Sequence, residues 1–236
     1  MNVIVGALFL SVALNVVLVK HYNLIDKLII RNTDLYASYN TVYYRGFVSM
    51  FNEIDYPSNV DVLFLGDSLT ERADFNSMLP GLCVVEMGIG SDTTVGLYNR
   101  IDVATKIQPR YIFIEIGIND LEHRIDVDDI LENYKKILDY LSLNCKDSVL
   151  VVEGVYPVSS SIEGSIDYPR TNAEIDLFNS RLRTMVNEIE GILFLDLDGY
   201  LKNGKSLNDL YTFDGLHLNG LGYKKVVEAF YTILER

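Results

Sequence analysis

Five short apolar runs recur along the chain: Val60–Leu65, Leu82–Met87, Tyr111–Ile116, Ser148–Glu153 and Ile192–Asp196. Each is about as long as a strand and nearly continuous in apolar character, the pattern of strands buried on both faces of a parallel sheet. Between the runs, apolar residues return at helical spacing, most clearly over Asp126–Leu143, Asn172–Ile189 and Gly220–Leu234. Strand and helix in regular alternation predict an α/β fold with helices covering both faces of the sheet. Right-handed crossovers leave few topologies for five such strands, and a flavodoxin-like order is the expected one.

Upstream the pattern differs. Val3 to Val19 is almost wholly apolar, broken by Ser11 and Asn15 and closed by Lys20-His21. As a helix it would span about 25 Å, slightly less than a hydrocarbon core of about 30 Å. A cleaved signal peptide, which would make the protein secreted or periplasmic, fits that length. It lacks a basic leading region and a small-x-small cleavage site. A buried core helix is a second option, unusual at the extreme terminus of a domain this size. An uncleaved single-pass anchor at residues 1–21 is the favoured reading and predicts a membrane-associated protein. Lys20, Lys27 and Arg31 follow the segment and no basic residue precedes it, which would leave the rest of the chain cytoplasmic.

Residues 22–56 place Leu24, Leu28, Leu35, Tyr39, Val42 and Phe51 near helical spacing. One or two amphipathic helices are expected there, part stalk and part packing onto the domain. Tyr56-Pro57-Ser58-Asn59 is a turn cluster, so the main domain is expected over residues 57–236. The Ser/Gly-rich stretch from Ser159 to Pro169 reads as a mobile loop near the strand ends.

With 236 residues, 49% of them apolar, the chain is long enough for one α/β domain with a substantial core. A net charge of −13 argues against nucleic acid as a partner, because its phosphates call for clustered Lys and Arg. Cys83, in an apolar run, reads as a core thiol, and Cys145 as part of a polar loop. Neither belongs to a C-x-x-C pair or a Cys/His spacing, so no metal site is expected.

Candidate chemistry sits at the predicted strand ends. The first run stops at Gly66-Asp67-Ser68, which places Ser68 where open α/β sheets bind ligands and near a helix start. Ser68 or Asp67 could equally serve as a plain helix cap. After the second run, the glycines of Gly88-Ile89-Gly90-Ser91-Asp92 allow close backbone approach to a ligand, or simply form a turn. After the third, Asn119 in Gly117-Ile118-Asn119-Asp120 can offer its amide to an oxyanion, or make a turn with Asp120. Before the last helix, Asp214 and His217 stand three apart. The carboxylate can hold one imidazole nitrogen and leave the other to take a proton from Ser68. His21 abuts the apolar segment and His123 lies in a charged loop, so only His217 has an acid at useful spacing.

Together, in this order and at these strand ends, the four stretches resemble the GDSL/SGNH hydrolase family over about residues 60 to 235. The resemblance implies a three-layer α/β/α domain with a five-stranded parallel sheet. It also implies serine hydrolysis of esters or thioesters without metal or organic cofactor. By position it makes Ser68 the nucleophile, His217 the general base and acid, and Asp214 the residue orienting His217. The oxyanion hole would comprise the N–H of Ser68, the N–H of Ser91 and the Asn119 side chain. Two positions depart from the family pattern: Ser91 stands where glycine is usual, and Glu86 where Asn often stands. The expected substrate is a small-molecule or glycan ester with a small acyl group such as acetyl. The alternative is a lysophospholipase, thioesterase or acyltransferase working near the membrane. Outside the enzyme class, a silent binding module or a flavin or nucleotide binder would use the same fold. Intact Ser68, Asn119, Asp214 and His217 disfavour the first, and the absence of Lys or Arg beside the Gly-Ile-Gly-Ser loop disfavours the second.

Overall fold

A computed structural model describes residues 41–165 and 168–235. The apolar segment Val3–Val19 and most of the expected stalk lie outside the described residues. Among those described, no helix is long and apolar enough to cross a membrane.

The five runs form one parallel sheet of strands β1 (Val62–Gly66), β2 (Val84–Gly88), β3 (Tyr111–Glu115), β4 (Val149–Glu153) and β5 (Ile192–Leu195). Their order is β2-β1-β3-β4-β5, the flavodoxin-like arrangement expected from the alternation. Strand bounds fall within two residues of those read from the sequence. Central β1 and β3 are buried along their whole length, as strands covered on both faces must be. On one face Phe64 of β1 and Phe113 of β3 meet Phe230 of the helix Gly220–Leu234, at ring separations of 5.2 and 4.7 Å. Helices Val127–Asn144 and Asn172–Asn187 meet each other through Tyr134 and Phe178. Tyr134 donates to the carbonyl of Ile116, just past β3, at 2.6 Å.

Because every strand is parallel, all carboxyl ends lie on one edge of the sheet, and Asp67-Ser68, Ile89 to Asp92 and Gly117 to Asp120 collect there. Two glycines make this convergence possible. A Cβ on Gly66 would lie 2.1 Å from Thr70 Oγ1 and 2.4 Å from the Glu115 carbonyl. One on Gly88 would lie 2.1 Å from the Glu71 nitrogen. The turn after β1 therefore folds back against the neighbouring strand ends with no room for side chains.

Three details differ from expectation. The helix Val42–Glu53 packs on the domain with Tyr44 and Phe51 buried, whereas Val42 is 80% exposed, so its apolar face is rotated from the one expected. Tyr44 settles the matter by donating to the Gly96 carbonyl at 2.6 Å. Cys145 is buried and Cys83 only half-buried, and both are free thiols. Cys145 closes the helix Val127–Asn144 and its side chain turns inward with the helix's apolar stripe. The loop starting at Ser159 is anchored at that end rather than loose. Ser159 is buried, donates its N–H to the Gly215 carbonyl at 2.7 Å and its hydroxyl to Asp209 at 2.6 Å.

Candidate active site

Asp67, not Ser68, caps the four-residue helix Ser68–Glu71, accepting from the Leu69 N–H at 2.9 Å. This releases the Ser68 side chain for other work. Its Oγ stands 3.0 Å from His217 Nε2. His217 Nδ1 in turn stands 2.6 Å from Asp214 Oδ2. The other oxygen of Asp214 accepts the N–H groups of Leu216 and His217 at 2.9 and 2.7 Å, fixing carboxylate and imidazole as one unit. Burial tends to raise the Asp214 carboxyl, but the bonds from the His217 ring and the two backbone N–H groups outweigh it and hold the group below its ordinary range. A carboxylate on Nδ1–H selects the tautomer whose Nε2 can accept a proton from Ser68. Phe213 stacks on His217 at 5.9 Å with a 14° interplanar angle, steadying the ring from one side.

Ser68 and Ser91 line one open cleft of about 380 Å³, together with Thr41, Tyr43, Glu71, Arg72 and Gly90. Ser91 has φ 61°, in the left-handed region that glycine occupies without strain. The serine thus adopts the backbone conformation that its usual glycine would supply. Among the described residues, neither the Ser68 nor the Ser91 N–H has a hydrogen-bond acceptor. Glu71 holds this loop, its carboxylate accepting the Gly90 N–H and the Tyr43 hydroxyl.

Asn119, 8% exposed, sits in the short helix Ile118–Glu122 that follows β3, between the two loops. Its amide nitrogen donates to the Asp92 carbonyl at 2.8 Å and to Asp67 Oδ2 at 3.2 Å. It therefore ties the neighbour of Ser68 to the neighbour of Ser91. Both amide hydrogens have acceptors within the protein, and the longer bond to Asp67 is the one a stronger acceptor would displace.

Several contacts that shape this site carried no signal in the sequence. Arg100 is buried and joins Asp92 Oδ2 at 2.8 Å with the carbonyls of Met87 at 2.8 Å and Gly66 at 2.9 Å. One guanidinium thus fixes the ends of β1 and β2 and the loop carrying Ser91. Asp120 accepts both the N–H and the hydroxyl of Thr94, at 3.0 and 2.5 Å, and so ties the third stretch to the second. Beneath the cleft, burial raises Asp67 to about 7, with Asp92 and Asp120 adding to it, and raises Glu153 to about 8. Glu115 is pushed well above its ordinary value by burial and by Asp67 and Glu153 beside it. Carboxyls that keep their protons can donate as well as accept, which suits a crowded polar layer under the strand ends. Glu86 also gains a physical account. It accepts the Phe75 N–H at the start of the helix Phe75–Met78, where a carboxylate satisfies a free donor.

The chain is similar to proteins already known. The sequence profile of the GDSL-like lipase/acylhydrolase family matches residues 64–225. The rat (Rattus norvegicus) platelet-activating factor acetylhydrolase IB subunit alpha2 is 24% identical over 183 residues, covering 74% of this chain and 76% of that protein. An N-acylneuraminate cytidylyltransferase from Escherichia coli O18:K1:H7 is 31% identical over 176 residues, covering 73% of this chain and 39% of that one. Among solved structures, a Clostridium thermocellum family 3 carbohydrate esterase superposes with a TM-score of 0.57 at 19% identity, covering 75% of this chain and 98% of that one.

Proposed function

Because the chain belongs to the GDSL-like lipase/acylhydrolase family and is with it a hydrolase of ester bonds, we propose that it removes small acyl groups, acetyl first among them, from polar alcohols such as carbohydrates. The observation that carries the mechanism is the relay from Ser68 Oγ through His217 to Asp214, at 3.0 and 2.6 Å. His217 Nε2 takes the hydroxyl proton as Ser68 attacks the ester carbonyl, and Asp214 holds the imidazolium that forms. The N–H groups of Ser68 and Ser91 and the amide of Asn119 receive the oxyanion. Asn119 turns its weaker bond from Asp67 toward the new charge. His217 then protonates the leaving alcohol, and water repeats the sequence on the acyl-enzyme. The two backbone donors are fixed in place before charge develops and need little reorganisation in the transition state.

The short acyl group rests on the cleft lining. Among the described residues the lining, Thr41, Tyr43, Ser68, Glu71, Arg72, Gly90 and Ser91, includes no aliphatic side chain, so a long acyl chain would meet polar groups there in place of an apolar channel. The acetylhydrolase and carbohydrate esterase among its relatives and structural neighbours support the same reading. In a p-nitrophenyl ester series, kcat/KM is expected to fall at least tenfold from acetyl to octanoyl. Acetylated sugars should be deacetylated in the same assay where lysophospholipid is not. A rate rising with chain length, or turnover of lysophospholipid alone, would reject the small-acyl reading in favour of a lipase.

Ser91 offers a second check. Its left-handed backbone costs an L-residue about 1–2 kcal/mol, so Ser91→Gly should raise Tm by a few degrees and keep kcat within a few-fold. Ser91→Pro removes the N–H and demands a φ near −65°, and should lower kcat by about 10²-fold or more. Ser91→Ala decides the cause. If alanine proved as damaging as proline, the hydroxyl and not the backbone N–H would be the working group.

A further inference from the structure

Arg72 stands in the cleft beside the nucleophile, without a carboxylate partner among the described residues. Its N–H bonds to the Ser68 carbonyl at 3.1 Å, closing one helical turn. Side chains four apart on such a turn emerge on the same face with Cβ atoms about 6 Å apart, so Arg72 and Ser68 share the cleft wall. The guanidinium lies 5.9 Å from the centre of the Phe213 ring, and that ring stacks on His217. The positive charge is therefore one ring away from the catalytic imidazole.

Among the described residues, Arg100, Arg170, Arg181 and Arg183 pair with carboxylates, whereas Arg72, Arg110 and Arg124 do not, and of these three only Arg72 lines the cleft of Ser68. Among the described residues no carboxylate lies within ion-pair distance of Arg72, although the chain carries a net charge of −13. Its sequence neighbour Glu71 spends both carboxylate oxygens elsewhere, on the Tyr43 hydroxyl and the Gly90 N–H. Contact with Phe213 accounts for about 0.5–1 kcal/mol of attraction at an exposed ring and satisfies none of the five guanidinium donors. An Arg whose only role was to cover Phe213 would show no preference for the charge of a substrate.

We propose that Arg72 binds an anionic group, a carboxylate or a phosphate, on the alcohol part of the ester, and so makes the enzyme selective for esters of acidic polar alcohols. This rests on the hydrolase reading above, with Ser68 as nucleophile. A planar guanidinium fork matches either anion by paired hydrogen bonds. With the acyl group at Ser68, an anion about one sugar ring away reaches Arg72. Thr41, Tyr43, Gly90 and Ser91 line the remaining wall together with Glu71, whose carboxylate is engaged by the Tyr43 hydroxyl and the Gly90 N–H.

The test uses two matched substrate pairs that separate the sources of the anion. One pair is acetylated methyl glucuronoside against acetylated methyl glucoside, and the other is acetylglycerol 3-phosphate against acetylglycerol. At low ionic strength wild type should favour the anionic member of at least one pair by about tenfold in kcat/KM, carried mainly by KM. The pair showing it identifies a sugar acid or a phosphate ester. Salt should shrink the ratio. Arg72→Gln should bring the ratio close to one, Arg72→Lys should keep part of it, and Arg72→Glu should invert it. Labelling of Ser68 by a fluorophosphonate reports separately on the hydrolase reading. Protein that labels yet treats both pairs alike, or in which Arg72→Gln leaves the ratio intact, overturns the anion site alone. Protein that neither labels nor cleaves any of the four esters overturns the hydrolase reading and the anion site with it.

Discussion

Ser68→Ala is expected to lower kcat for acetyl esters by about 10⁵-fold or more and to abolish labelling by a fluorophosphonate. The expectation follows from the position of Ser68 Oγ, 3.0 Å from the only ring nitrogen of His217 that Asp214 leaves free. Among the described residues no other hydroxyl in the cleft has such a base. The Ser91 side chain has no imidazole against it, and the Tyr43 hydroxyl is engaged with Glu71. Folding should be unaffected, because Asp67 and not Ser68 caps the helix Ser68–Glu71. A thermal melt within a degree or two of wild type would therefore accompany the lost activity. Residual catalysis above the water rate is also expected, since the oxyanion donors and the substrate cleft remain. Equal labelling of the two proteins would remove Ser68 from the mechanism.

The sheet was legible in the sequence because its strands are buried on both faces and cannot alternate. Val62 to Leu65 and Ile112 to Ile114 are apolar without interruption, and that continuity is itself the signal. The first three chemical stretches were legible for a related reason: in a parallel sheet every strand end faces the same edge, so their positions after successive strands imply their meeting in space. Asp214 and His217 needed only local spacing, and the loop between them does hold the two side chains together.

What escaped was contact across crossovers. Arg100 touches Gly66, Met87 and Asp92, and nothing at positions 98 to 102 distinguishes it from a surface arginine. Asn119 suggested an amide at a strand end, but not that Asp67 and Asp92 would already engage it. Tyr43 and Glu71 are 28 positions apart and meet only because the helix Val42–Glu53 folds onto the domain. The phase of that helix was misread because Tyr44 buries its ring and keeps its hydroxyl bonded to the Gly96 carbonyl. Aromatic side chains with a polar tip satisfy both demands, and a hydropathy pattern ranks Val42 above them.

Asp214→Asn should lower kcat by about 10⁴-fold while leaving KM for acetyl esters nearly unchanged. Asn can keep the bonds from the Leu216 and His217 N–H groups, which Asp214 accepts at 2.9 and 2.7 Å. What it cannot supply is the negative charge on Nδ1 at 2.6 Å. An amide facing that nitrogen with its N–H₂ favours the wrong tautomer, with the proton on Nε2 pointing at Ser68. The pH dependence separates this from a titration effect. The Asp214 carboxyl is held below its ordinary range, so it gains a proton only under strongly acid conditions. Because its folded value is depressed, its contribution to stability is present above the unfolded carboxyl range and is lost as pH falls through the folded one. Well above that range the wild-type carboxylate stays charged, so the deficit of Asp214→Asn should persist when each protein is compared on the plateau of its own pH–rate profile. Equal plateau rates would show that Asp214 positions the loop and does not hold the charge of the imidazolium. Asp214→Ala, which loses the backbone bonds as well, should be slower still and melt at a lower temperature. If the alanine variant matched Asn in rate but not in melting point, the charge would be the catalytic contribution and the two N–H bonds the structural one.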